Sequence, residues 1–159
     1  MFEDYLSVIA QGIPTSLLLT FASLLIAFLL ALLFTFILAM GNRWLKSAVN
    51  FYLVLFTGTP LLIQIFLIYS GPGQFEFITQ SSLWSLLSNA WFCAMLALAL
   101  NSAAYSTQLF YGAVKAIPQG QWESCAALGL SRVQTLKILI PYALKRALPS
   151  YTNEIILVF

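Results

Sequence analysis

The chain has 159 residues, of which 61% are hydrophobic and 8% charged, with a formal net charge of +2 and no histidine. A soluble domain carries about 25% charged residues, so water cannot solvate this surface and the chain reads as an integral membrane protein. The lack of histidine excludes a Ser-His-Asp relay, and no GxxxxGK[ST] loop is present to hydrolyse nucleotide by that route. Cys93 and Cys125 lack CxxC spacing and read as small apolar fillers, so neither a metal nor a cofactor is expected.

The first residues include Glu3 and Asp4 rather than basic ones. The apolar run behind them is too long for a signal-peptide core, so a retained span is expected. Thr15 to Met40 is uncharged over about 26 residues, roughly 39 Å of helix, enough to cross a bilayer with tilt. Gly12 and Pro14 mark its start and Gly41 its end. A second span runs from about Ala48 to Tyr69 and is closed by Gly71-Pro72-Gly73. Within it, Gly58 and Pro60 beside Thr59 predict a break whose freed backbone groups line a cavity. A third span begins near Leu83 and continues to Asn101 or Tyr105.

Polar sequence follows. Pro118 interrupts the chain, residues 121–128 are good helix formers, and Gly129 suits the positive-φ position after a helix. Ser131 and Gln134 form a capping box for the next helix. The last apolar stretch runs from Ala147 to Phe159. From Pro149 it has about 11 residues and some 16 Å, short of a core of roughly 30 Å. The expectation is three complete spans and an incomplete fourth, in a chain cut inside that span.

Arg43 and Lys46 lie between the first two spans, and Lys115, Arg132, Lys137, Lys145 and Arg146 all follow the third. The remaining loop and the N-terminus hold only Glu3, Asp4 and Glu76. Every basic residue therefore falls on one side, which the positive-inside rule makes cytoplasmic. The N-terminus is expected outside, and residues 106–147 in the cytoplasm.

On pattern alone, the helix, glycine turn and helix after Pro118 fit an amphipathic hairpin lying at the membrane surface. Its residues also carry a likeness. Glu123, Gly129 and Pro141 stand at the spacing of the EAA signature of ABC-importer permeases, with the small residues Ser124 and Cys125 in place of its two alanines. FTGTPLLIQIFLIYSG (56–71), ALALNSAAYSTQLFYGAVKAIPQGQWE (97–123) and LGLSRVQTLKILIPYALKRALPSYTNE (128–154) extend it. Together they resemble the polar-amino-acid permease family of ABC importers, of the histidine, glutamine, glutamate and arginine type, and most closely its arginine permeases. The likeness covers the chain from Gly12 onward.

The resemblance implies an all-α type I permease fold of five spans with the N-terminus outside. Residues 1–159 would form a single transmembrane domain that stops within the fourth. It implies import of an amino acid, arginine in the closest case, across a bacterial inner membrane, without catalysis by this chain. The implied partners are an ATP-binding subunit, a second permease of identical or homologous sequence, and a periplasmic or extracellular amino-acid-binding protein. The EAA-like stretch, 123–141, is implied to dock into a groove on the ATPase. Glu123, Ala126, Ala127, Leu128 and Gly129 are the candidate contacts. Glu123 equally suits a solvated acid near a helix N-terminus.

Polar groups within a bilayer are costly unless used. The candidates for a substrate path are Thr59, Gln64, Asn101, Tyr105 and Glu154, with Thr57, Ser102, Gln108 and Asn153 beside them. Each neutral residue suits a helix–helix hydrogen bond as well. Glu154, in an apolar run, suits a guanidinium or ammonium substrate or a pairing with Arg146 or another subunit. A different class of reading is a non-transporting adaptor whose hairpin recruits a partner, or an inactive permease fragment. An adaptor does not need Thr59, Gln64, Asn101 and Glu154 to face one another.

Overall fold

The computed structural model describes residues 2–158, with side chains described from Gly12 to Val158. The Glu3 and Asp4 side chains and Phe159 lie outside the described residues. The architecture is all-helical: α1 Phe2–Met40, α2 Arg43–Thr57, α3 Leu61–Ser70, the short α4 Glu76–Thr79 and α5 Trp84–Leu87, then α6 Ala90–Lys115, α7 Gln119–Ala127 and α8 Arg132–Val158.

Helix α1 does not begin after Gly12 and Pro14 but runs through both. Proline removes one amide yet holds a helix-compatible φ, and the leucine-rich run behind it carries the helix onward. Its two faces differ. Ser23, Ala27, Ala31, Thr35 and Leu38 are buried, whereas Phe21, Leu25, Leu29, Leu33 and Phe36 are exposed. The buried stripe packs against α6, which also offers small buried residues: Ala99, Ser102, Ala103 and Ser106. Lipid tails are as apolar as leucine, so helices in a bilayer associate through close van der Waals contact, which small residues permit. The Ser23 hydroxyl adds one polar tie, donating to the Met95 carbonyl at 3.2 Å.

The expected second span is two helices. α2 and the segment Leu61–Gln74 meet at a bend of 105°, at the Gly58–Pro60 break the sequence predicts. Gly71 and Pro72 then turn into a 3₁₀ segment, Pro72–Gln74. The third expected helix starts later than Leu83. Residues Trp84–Leu87 form the separate α5, and Asn89 caps α6 by accepting from the Trp91 and Phe92 amides. α6 then continues past Tyr105 to Lys115 without interruption. By length and apolarity, Gly12–Met40 meets the requirements of a span, and α2 with α3 does so only as a bent pair.

Pro149 does not open a new span either. α8 passes through Pro141 and Pro149 as one helix of 27 residues. It is held to α1 and α6 by Phe28, Phe110 and Tyr151, whose ring centroids lie 5.1–6.0 Å apart. α6 touches α1, α2, α3 and α8 and is the post around which the others stand. Lys46, Lys115 and Arg132 meet at one end of it, beside Leu38 near the end of α1. The short helices and Glu76 connect to its other end.

The packing predicts a contrast. Ala103→Leu, at a fully buried position of α6, overpacks the bundle and costs about 1–3 kcal/mol, whereas Leu29→Ala on the exposed face of α1 stays within about 0.5 kcal/mol. Thermal melting in detergent checks both.

Candidate functional site

The break between α2 and α3 supplies most of the buried polar chemistry. A Cβ on Gly58 would sit 2.6 Å from the Val54 carbonyl oxygen, so any side chain there would force the turn to shift. Pro60 has no amide to continue the helix and takes the extended N-cap position of α3. Such a break strands the last carbonyls of α2, and a stranded carbonyl in hydrocarbon costs several kcal/mol.

Each finds a donor. The Thr57 hydroxyl donates to the Leu53 carbonyl at 2.8 Å and the Gly58 amide to Val54 at 2.9 Å. The Thr59 hydroxyl donates to Leu55 at 2.7 Å. The Phe56 carbonyl accepts from the Gln64 amide at 2.8 Å and the Asn101 amide at 3.3 Å, and the Thr57 carbonyl from the Tyr105 hydroxyl at 3.4 Å. Gln64, only 6% exposed, also donates to the Thr59 carbonyl at 3.0 Å, and its own oxygen accepts from Asn101 at 3.0 Å. The Tyr52 hydroxyl ties α2 to the Leu100 carbonyl of α6. Thr59, Gln64, Asn101 and Tyr105 are thus brought together, with their hydrogen bonds spent on the break.

Glu154 stands apart from this brace. It lies with Pro149, Ser150 and Asn153 of α8 across from Tyr105, Gln108 and Leu109 of α6, around an open groove of about 560 Å³. A second cavity of about 290 Å³ continues from it, lined by Leu61, Asn101, Tyr105 and Glu154 among others. Asn101 and Tyr105 therefore serve both the brace and the cavity. Gln108 reaches the Thr57 hydroxyl at 3.4 Å. Ser102 points elsewhere: it is buried, and its hydroxyl has no partner among the described residues. Arg146 donates to the Tyr142 hydroxyl at 3.2 Å and lies about 12 Å from Glu154 along the helix axis. A carboxylate in such a groove accepts from cationic donors, and the amides and hydroxyls around it orient them.

The EAA-like segment folds as the sequence predicts in its local details. Pro118 precedes α7, and Gly129 has φ +70°. The Gly129 amide bonds to the Ala126 carbonyl at 2.9 Å and the Leu130 amide to Cys125 at 3.1 Å, the paired bonds of a Schellman motif. The Ser131 amide then donates to the Gln134 side chain at 2.8 Å, and the Gln134 amide to the Ser131 hydroxyl at 3.4 Å. Cys125 is buried with Val114, Ile117, Leu139 and Ala143. The opposite face shows Glu123, Ala126, Ala127 and Leu128 to the outside, Leu128 being 77% exposed. The Glu123 carboxylate accepts from Gln119 at 2.9 Å. Hydrogen bonding from Gln121, and then Arg146, holds the Tyr142 phenol below its usual range.

Sequence reasoning missed Ser150, because a serine beside Pro149 reads as the boundary of a span. It also missed that the threonines of FTGTP serve as donors to the helix they follow. Their spacing was the available signal: Thr57 and Thr59 each lie four residues beyond the carbonyl they bond.

Residues 31–159 match the family described as "Binding-protein-dependent transport system inner membrane component". The chain is 79% identical to the arginine ABC transporter permease protein ArtM of Haemophilus influenzae, covering 100% of this chain and 70% of that protein. It is 60% identical to ArtM of Escherichia coli K12, over 100% of this chain and 72% of that one. Among solved structures, the fold is similar to a chain of an amino acid ABC transporter crystallised with histidines, at a TM-score of 0.84 and 29% identity. That match covers 98% of this chain and 69% of the other.

Gln64→Met keeps the volume and removes the donor to the Phe56 and Thr59 carbonyls. A cost of about 1–3 kcal/mol is expected, read as a lowered melting temperature of the purified protein.

Proposed function

This chain belongs to the family of binding-protein-dependent transport system inner membrane components, and from that premise we propose that it is the permease subunit of an ABC importer of amino acids, with arginine as substrate. One observation carries the reading: 79% identity to an arginine permease across the whole of this chain. The work of ATP hydrolysis falls to a separate ATP-binding subunit. A second permease copy or paralogue completes the pathway, and an extracytoplasmic binding protein delivers the substrate.

In this reading the basic end of the bundle faces the cytoplasm and the N-terminus faces outward. Within residues 106–147, the portion continuous with neither α6 nor α8 is the α7 turn unit, 116–131. Its outward face, Glu123, Ala126, Ala127, Leu128 and the Gly129 turn, enters a groove on the ATPase. A small apolar helix face suits such a groove, and Glu123 meets its basic or amide groups. The geometry supports this assignment because the opposite face is already anchored through Cys125 to α6 and α8.

The substrate path runs along α6 and α8. Glu154 is the counter-charge for the guanidinium, with Tyr105 and Asn101 beside it, while Thr59 and Gln64 keep the wall of the path intact. A forked guanidinium offers two parallel donors to one carboxylate.

Two outcomes follow. In the assembled transporter, Glu154→Gln lowers arginine uptake by about tenfold to a hundredfold, the loss of one charge-assisted hydrogen bond, while assembly persists. Unchanged arginine uptake removes Glu154 from the path. Leu128→Asp leaves the melting temperature unaltered, because the side chain is 77% exposed, yet lowers binding-protein-stimulated ATPase activity by about tenfold or more. Stimulation at the wild-type level would place the ATPase contact elsewhere.

A further inference from the structure

Lys46 of α2, Lys115 of α6 and Arg132 of α8 converge on a pocket of about 290 Å³ that the proposed transport mechanism does not use. Its floor is apolar, built by the buried Leu38 of α1 and Leu136 of α8, and Trp122 of α7 also lines it. The Lys115 ammonium rests 4.6 Å from the centroid of the Tyr111 ring, another lining residue. Lys46 is half-buried, whereas Lys115 and Arg132 are exposed. The sequence holds five acidic residues, and none of those described lines the pocket. Three like charges around one small space repel one another unless an anion joins them.

We propose that this pocket binds the phosphate of an anionic phospholipid headgroup from the membrane leaflet at the basic end of the bundle. The charge is complementary. Arg132 offers a planar fork of donors, and the two lysines offer ammonium charges to the remaining phosphate oxygens. The apolar floor accepts the glycerol and the upper acyl carbons. A basic pocket between spanning helices is the kind of site that holds such a headgroup. Because Trp122 precedes Glu123 in α7, the lipid touches the same helix that carries the proposed ATPase contact. Naming the leaflet as cytoplasmic rests on the proposed orientation; the charge match does not, and it is independent of which amino acid is carried.

The test uses the assembled transporter, purified and equilibrated with mixed micelles of phosphatidylglycerol and phosphatidylcholine, with retained lipids counted by native mass spectrometry. The wild-type protein retains phosphatidylglycerol in preference to phosphatidylcholine. Each pocket charge removed lowers that preference by about fivefold, so K46Q/K115Q/R132Q loses it. K46R/K115R/R132K, which preserves the charges, keeps it, as does K137Q/K145Q, which removes charge from α8 outside the pocket. Should the triple glutamine variant fail to assemble, Arg132→Gln alone decides, because its side chain is exposed. An undiminished preference in the glutamine variants, or its loss in K137Q/K145Q or the charge-preserving variant, would overturn the proposal. Displacement of phosphatidylglycerol by excess inorganic phosphate would also overturn it, by assigning the pocket to free phosphate instead.

Discussion

No water reaches the hydrocarbon interior to pair a free backbone group, so a helix broken there must bring its own donors. The rest of this structure depends on how that constraint is met at Gly58–Pro60. The carbonyls of the last turn of α2 are closed by Thr57, Thr59, Gln64, Asn101 and Tyr105. Two of those donors stand on α6, so the break is secured only where α6 is held in register. That register comes from the contact with α1, where Ala27 and Ala31, like Ala99 and Ala103 of α6, have no solvent exposure. Small residues on one side of α6 thereby position the polar residues on its other side.

The same post orders the two regions that the proposed function uses. α8 leaves the Gly129 turn, packs Leu139 and Ala143 beside Cys125, and continues unbroken past Ala147 and Tyr151 to Glu154. Arg132 and Glu154 are about 33 Å apart along that helix. In the proposed coupling, a displacement of the α7 turn unit reaches the groove through one continuous helix. In this account, movement imposed at α7 changes the distance between Glu154 on α8 and Tyr105 on α6, the two walls of the groove.

Local structure was legible wherever one residue type answers one backbone need. Gly129 answers a positive φ, Ser131 and Gln134 answer the free amides of a helix start, and Gly58 with Pro60 announces a break. The 105° bend was not legible, because Gly and Pro permit a break without specifying its angle. Neither was the reach of α6. Its second half, Asn101 to Gln108, looks polar enough to leave the membrane, yet Ser102, Ser106 and Thr107 are buried against the bundle. Pro149 misled in the opposite sense, reading as a boundary in a helix whose packing on Phe28 and Phe110 carries it through. Of the candidate site, the residue types were readable, but the division between brace and groove was not. Thr59 and Gln64 differ from Glu154 by the carbonyls within reach, and those depend on the bend.

Polarity across the membrane is the claim on which coupling and transport jointly stand. It is tested most directly by labelling single cysteines in spheroplasts with a membrane-impermeant maleimide, after replacing Cys93 and Cys125 by alanine. Ser82→Cys, between α4 and α5, reacts from outside, whereas Ala127→Cys reacts only once the membrane is opened. Labelling of Ala127→Cys in sealed spheroplasts would contradict the account.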